Sequence, residues 1–153
     1  MKLKFAVCLI IAAGTSLAYA NAPKPCPFTA KEISAVLGDT FAEGKAANEM
    51  SFGTGKRLSC RYDAKDITLN VNQTVMNDPS QATGYYKMTA GKKEAIDKDP
   101  DGAMRQTDQG DLTSPNLHYM RNGNIVELRI MGAGKKHPKF NELMNNLVKL
   151  RRL

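Results

Sequence analysis

The chain has 153 residues, with 22 Lys and Arg against 15 Asp and Glu for a formal net charge of +7. That length supports one domain with a hydrophobic core and excludes two. The basic residues are scattered (Lys56, Arg57 and Arg61; Lys92 and Lys93; Lys135 and Lys136; Lys149, Arg151 and Arg152), which describes a solvated surface and not a dedicated anion site. The start of the chain also removes nucleic acid as a partner. Met1-Lys2-Leu3-Lys4 is basic, Phe5 to Ala13 is an unbroken apolar run, and Ala18-Tyr19-Ala20 is a small-x-small cleavage site. This three-part pattern is that of a secretory signal peptide over 1–20. The apolar run is shorter than the roughly 20 residues a permanent span needs, so no stable membrane insertion is expected. The mature protein then begins at Asn21, and residues 21–153 form one domain that works in the periplasm or as a secreted protein. Without Lys2 and Lys4 the balance is 20 basic against 15 acidic residues.

Cleavage removes Cys8 and leaves Cys26 and Cys60. An even pair in an oxidising compartment predicts one disulfide. Closing a loop of 34 positions is worth about 3–4 kcal/mol on the loop-entropy account. Pro23-Lys24-Pro25 before Cys26 lacks the Leu-small-small sequence of bacterial lipidation, and Cys8 comes too early for it.

The mature chain opens on a helix whose start is marked twice. Thr29 and Glu32 have capping-box spacing, and Phe28 and Ile33 stand at hydrophobic-staple positions. Ile33, Val36 and Leu37 share a face and Gly38 stops the helix. The segment from Asp39 to Arg57 is rich in Gly, Ala and Asn. It reads as a loop with at most one irregular strand around Glu49 to Phe52. Period-two alternation follows. Leu58, Cys60 and Tyr62 lie on one face, and after Asp63-Ala64-Lys65-Asp66 so do Ile67, Leu69 and Val71. Pairing Tyr62 with Ile67 puts Cys60 opposite Leu69 and turns Cys60 toward the core. A bond to Cys26 would fasten the first helix to the sheet. Arg57, Ser59, Arg61, Thr68 and Asn70 face the other way.

Asp78-Pro79 predicts a second helix start, with Ala82, Tyr85, Thr89 and Ile96 roughly on one face. Asp97 to Pro115 is turn-rich. Asn122-Gly123 is the strongest two-residue hairpin turn and pairs Tyr119 with Val126, Leu117 with Leu128 and His118 with Glu127. Pro138 opens a final helix with Phe140, Leu143, Leu147 and Leu150 in a stripe. Lys149, Arg151 and Arg152 are expected to complement the dipole of its last turn. The fold class is α+β: an antiparallel sheet of two hairpins covered by amphipathic helices, in the order α-β-β-α-β-β-α.

Cys26-Pro-Phe-Thr-Ala-Lys-Glu-Ile-Ser-Ala-Val-Leu-Gly38, then Cys60-Arg-Tyr followed by a strand, then a hairpin and a closing helix, resembles a diffuse group of small exported bacterial proteins. Many of these are lipoproteins, with one cysteine before the first helix and another in an early strand. The resemblance covers most of the mature chain. It implies a helix-covered antiparallel sheet, distantly similar to the extrinsic P subunit of photosystem II, and it carries no catalytic residues. This chain departs from the lipoprotein members in lacking an anchoring cysteine.

The motifs that carry chemistry elsewhere are incomplete here. Asp97-Lys98-Asp99-Pro100-Asp101-Gly102, continued to Met104 and Asp108, follows the spacing of a calcium loop. Pro100 stiffens position 4, Arg105 puts a cation at the water-bridging position and Asp108 is too short for the bidentate ligand, so an acidic turn is the expectation. Gly53-Thr54-Gly55-Lys56 lacks the first glycine and the final Ser/Thr of a phosphate loop and reads as a flexible lead-in. His118 and His137 have no ligand at zinc spacing. No serine lies in a Gly-x-Ser-x-Gly or Ser-x-x-Lys motif, and the turn acids Asp108 and Asp111 give no defined acid–base pair. Of the methionines, Met88, Met104, Met120, Met131 and Met144 either fill core gaps or, if several surface together, make an adaptable binding patch.

The expectation is an exported, disulfide-stabilised binding or accessory protein, not an enzyme and without a cofactor. It would act on a protein or envelope partner as an inhibitor, immunity or assembly factor. Arg57, Arg61 and Arg129 on the outer sheet face are the candidate anchors. A periplasmic carrier of a small ligand or lipid is the alternative, and a hydrolase the third class.

Overall fold

In the computed structural model, which describes residues 23–88, 92–107, 110 and 113–153, the chain begins by fixing α1 (Ala30–Leu37) at both ends. Thr29 is extended and its Oγ1 accepts the Glu32 N–H at 3.2 Å. Gly38, left-handed at φ 78°, closes the helix on Ser34 O. Phe28 and Ile33 are both buried, as a staple requires. The Glu32 carboxylate does not return to the cap; it pairs with Arg151 at 2.7 Å.

Among the described residues eight strands follow: β1 (Lys45–Ala46), β2 (Met50–Phe52), β3 (Gly55–Asp63), β4 (Thr68–Met76), β5 (Lys93–Ala95), β6 (Met104–Gln106), β7 (Asn116–Arg121) and β8 (Asn124–Met131). Helix α2 (Ala82–Met88) lies between β4 and β5, after a 3-10 turn at Pro79–Gln81. Helix α3 (Phe140–Leu147) follows β8. The strands form one antiparallel sheet in the order β1-β3-β4-β8-β7-β6-β5, with β2 also on β3. The long strands are central and both edges are built from pieces of two or three residues, a common guard against edge-to-edge pairing. No helix among the described residues is long and apolar enough to cross a membrane.

The architecture is α+β and antiparallel, but the sheet is twice as wide as two hairpins. The pieces absent from the sequence reading, β1, β5 and β6, are too short to show a period. The second helix stops at Met88, among the described residues, and does not reach Ile96; Thr89 and Gly91 lie outside them. Its buried residues are Ala82 and Tyr86. In the first hairpin Tyr62 pairs with Leu69 and Cys60 with Val71, two residues away from the expected register. The turn takes Ala64 to Ile67, whose carbonyl accepts the Ala64 N–H, instead of Asp63 to Asp66. A shift of two preserves which face each side chain takes. The second hairpin pairs Tyr119 with Val126, Leu117 with Leu128 and His118 with Glu127. Its turn residues Asn122 (φ 51°) and Gly123 (φ 73°) both have the left-handed geometry that only a type I′ turn asks for. Gly53-Thr54 is the tight turn joining β2 to β3, not a flexible lead-in. Lys149, Arg151 and Arg152 fall beyond α3 and do not sit in its last turn.

The two sheet faces are covered differently. On the inner face Leu58, Cys60, Tyr62, Leu69, Val71, Leu117, Tyr119, Val126, Leu128 and Ile130 are all buried, beneath α1 and α3. The Cys26–Cys60 disulfide joins the segment before α1 to the middle of β3, with Cα atoms 5.1 Å apart. Beside it the Tyr62 hydroxyl accepts the Phe28 N–H at 3.0 Å and donates to Phe28 O at 2.9 Å. Gly44 crosses directly over this joint: a Cβ there would lie 2.6 Å from both Cys60 Sγ and the Tyr62 ring. On the outer face α2 covers one end, where Ala82 and Tyr86 pack on Met76 and Ile125.

Candidate binding cleft

The outer face is ordered in rows by strand register. Nearest α2, Arg57, Thr74, Ile125 and Met120 run across β3, β4, β8 and β7; the next row is Ser59, Asn72, Glu127 and His118; the third is Arg61, Asn70, Arg129 and Asn116. The first row joins the apolar Ile125 and Met120 to the polar Arg57 and Thr74, and its apolar half meets α2. The second is a chain of polar contacts: Ser59 Oγ donates to Asn72 Oδ1 at 2.7 Å, and Asn72 Nδ2 donates to Glu127 Oε2 at 3.4 Å. Glu127 Oε1 in turn holds Arg129 at 3.3 Å.

Where α2 ends its cover of these rows, a cleft of about 140 Å³ opens, lined by Arg57, Asn72, Thr74, Tyr85, Lys93, Gln106, His118, Ile125 and Glu127. Two aromatic contacts shape its walls. Tyr85 stacks on Phe52 of β2 with centroids 6.0 Å apart. Tyr86 donates its hydroxyl to His118 O at 3.0 Å, and burial pushes that phenol up to about 12, so it remains a donor. Lys93 lies over the Tyr86 ring at 4.9 Å and donates to Tyr86 O at 3.1 Å, with burial lowering its ammonium pKa.

His118 is the most enclosed ionisable group in the cleft, only 9% exposed. Burial lowers its pKa below the ordinary 6.5; Glu127 works against that, while Arg129 and Lys93 reinforce it. The imidazole is therefore neutral near pH 7, and its buried Nε2 has no hydrogen-bond partner. At the opposite wall the half-buried Arg57 also has a buried Nε without a partner. An orphaned buried donor or acceptor costs about 1–3 kcal/mol, so two in one small cleft call for a reason.

Of the three anticipated anchors, only Arg57 belongs to this cleft. Arg129 is committed within the sheet, bonded through Nη2 to Gln106 Oε1 at 2.7 Å and paired with Glu127. Arg61 sits on the same strand as Arg57 but two rows further along, exposed, with its Nε on Asp63 Oδ1 at 2.6 Å. Lys93 and Gln106 were not legible as site residues because β5 and β6 could not be placed, and Tyr85 was not because nothing assigned the second helix to the outer face of the sheet. Asn72 and Thr74 could have been found, since the alternation of β4 continues past Val71 on the polar side.

Within the acidic turn Asp99 is satisfied internally. Asp99 Oδ1 accepts the N–H groups of Asp101 and Ala103 at 3.0 and 3.1 Å, and its Oδ2 bonds Arg152. Arg152 also pairs with Asp101 at 3.5 Å and stacks on Tyr119 at 4.6 Å. Arg152 thus occupies the centre where a cation would need these oxygens. Asp108 and Asp111, like the 1–20 leader and Asn21, lie outside the described residues. His137 Nδ1 accepts the Lys139 N–H at 3.2 Å.

No protein-family model matches the chain, and no curated protein is significantly similar to it.

Proposed function

We propose that this is an exported, disulfide-stabilised accessory protein that docks a protein partner on the outer face of its sheet, in an inhibitory, immunity or assembly role. The observation that carries the reading is the contrast in cover. The inner face is sealed by two helices and a disulfide. The outer face is left half open around a cleft holding two orphaned nitrogens. The methionines support a protein partner. Met50, Met76, Met88, Met104, Met120 and Met131 all belong to the outer strand positions or to α2, and Met50, Met88 and Met131 are the exposed large hydrophobic residues among those described. Methionine is the side chain best able to adapt to a foreign surface. Export, to the periplasm or beyond, rests on the leader pattern and is supported by the disulfide. A carrier of a whole small molecule is less well supported: such pockets usually enclose about 300–1,000 Å³ and bury most of the ligand, whereas this cleft holds about 140 Å³ and the wider hollow of about 380 Å³ beside Ile96, Asp97 and Val148 is shallow.

The test is site-specific photocrosslinking in the native envelope fraction. A photoreactive residue at Met50, beside Arg57, is expected to capture one stoichiometric partner, whereas one at Lys31 on exposed α1 is not. Equal capture from Lys31, or none from Met50 in a preparation that carries a bound metabolite, overturns the docking reading.

A further inference from the structure

Resting on that reading, we propose that the cleft is a subsite for a single carboxylate, an Asp or Glu side chain of the partner, received by Arg57 and the orphaned nitrogen of His118. The size of the cleft sets the scale of the group. At about 140 Å³ the cleft lies below the roughly 300–1,000 Å³ of small-molecule pockets and suits the head of a single side chain.

The charge pattern sets the sign. Among the described residues Arg57 has no acid within ion-pair distance and its side chain makes no hydrogen bond, while Arg61 and Arg129 each hold a carboxylate. A guanidinium receives a carboxylate side-on through Nε and one Nη, so the free Nε is what makes the two-point contact possible. Arg57 is carried on a central, long strand, which fixes its base before the ligand arrives.

The same walls choose among anions. Glu127 lines the cleft, and its carboxylate, already shared between Asn72 and Arg129, opposes a second negative group. A planar carboxylate matches the side-on edge of one guanidinium, whereas a tetrahedral phosphate near −2 brings an extra charged oxygen toward Glu127. His118 is faced by Glu127 and Arg129 from β8, by Lys93 from β5 and by Tyr86 from α2. An incoming anion tips this set toward the imidazolium, so binding should tighten as the pH falls toward 6.

The experiment uses the disulfide-bonded protein and free acetate as probe, with inorganic phosphate as the competing arm. Titration is followed by the Arg57 Nε–H and His118 ring resonances in NMR spectra. Acetate should saturate both signals together at millimolar concentration, bind at least tenfold tighter than phosphate at pH 7, and raise the midpoint of His118 titration. Arg57→Gln should weaken acetate at least tenfold. His118→Gln should weaken it less and remove the pH dependence. Absence of saturable shifts in the unaltered protein overturns the subsite whatever the variants do, and tighter phosphate binding overturns the carboxylate assignment. Either result leaves crosslinking from Met50 as an independent test of docking, so the two ideas can fail separately.

Discussion

The two faces of one sheet use different side chains for their apolar surface. The inner face is Leu, Ile, Val and Tyr, each fully buried and tied down by α1, α3 and the Cys26–Cys60 bridge. The outer face uses methionine: Met76, Met104 and Met120 pack around α2, and Met50 and Met131 are exposed. Branched residues have few rotamers and specify one packing, whereas methionine fills irregular space without specifying it. The inner layer fixes the fold. The outer layer is free to meet something else, and the unpaired polar atoms of Arg57 and His118 lie on that side.

The contrast predicts a ranking of effects. The largest belongs to Arg152→Ala, which strips the cation from Asp99, a side chain only 2% exposed, and from Asp101. Breaking a buried pair by removing one partner costs about 3–5 kcal/mol, and denaturant melts should show a loss in that range. A loss below 1 kcal/mol would mean that the turn is not held by this clasp. Next, the double change Cys26→Ser with Cys60→Ser should cost about 3–4 kcal/mol through the freed loop. Intact mass of the native protein should read two protons below the reduced form.

A smaller effect concerns pH. Because burial holds His118 below 6.5 in the folded state, the unfolded chain binds its proton first as the pH drops. Stability from this group is therefore complete above about pH 6.5, declines as the pH falls through that value, and is exhausted at the folded midpoint. His118→Gln should flatten that part of the stability curve measured between pH 7 and 5. Smaller still, Arg57→Ala should destabilise the protein by no more than roughly 0.5 kcal/mol, since its Nε has no partner in the folded protein. A large loss would make Arg57 a structural residue and blur the distinction between the faces. Finally, millimolar calcium should leave the melting temperature unmoved, because Arg152 already occupies the acidic turn; tight binding would add about 4 kcal/mol at a thousandfold excess.

What could be read from the residues followed physical periodicity. The caps of α1 and the Asn122-Gly123 turn are local chemistry, and they appear where that chemistry puts them. The strand faces survived even an error of two in the register of the first hairpin, because the pleat repeats every second residue. The strands β5 and β6 offer three residues each, Lys93-Glu94-Ala95 and Met104-Arg105-Gln106, with no alternation to detect. The cover of the outer face by α2 was hidden for a related reason. Its partners Met76, Met104, Met120 and Ile125 are single residues on four strands, and only the adjacent pair Ile125-Val126, buried on opposite faces, hinted that both sides were covered. The cleft depends on those unplaced elements. Arg57 and His118 were visible as outer-face residues, but not as opposite walls of one cavity.

The centre of the sheet has a consequence for how the chain folds. The β4–β8 pairing joins partners such as Asn72 and Glu127, 55 positions apart, whereas β3–β4 and β7–β8 are neighbouring hairpins. Each hairpin can close early at little entropic cost, and the disulfide can form once residue 60 is made. The seam between the two halves must wait for the last strand. Non-local pairing of this kind slows folding, and until it completes Leu69 and Val71 stand on an open edge. The seam, more than either half, therefore sets the time during which a newly made molecule is vulnerable to aggregation.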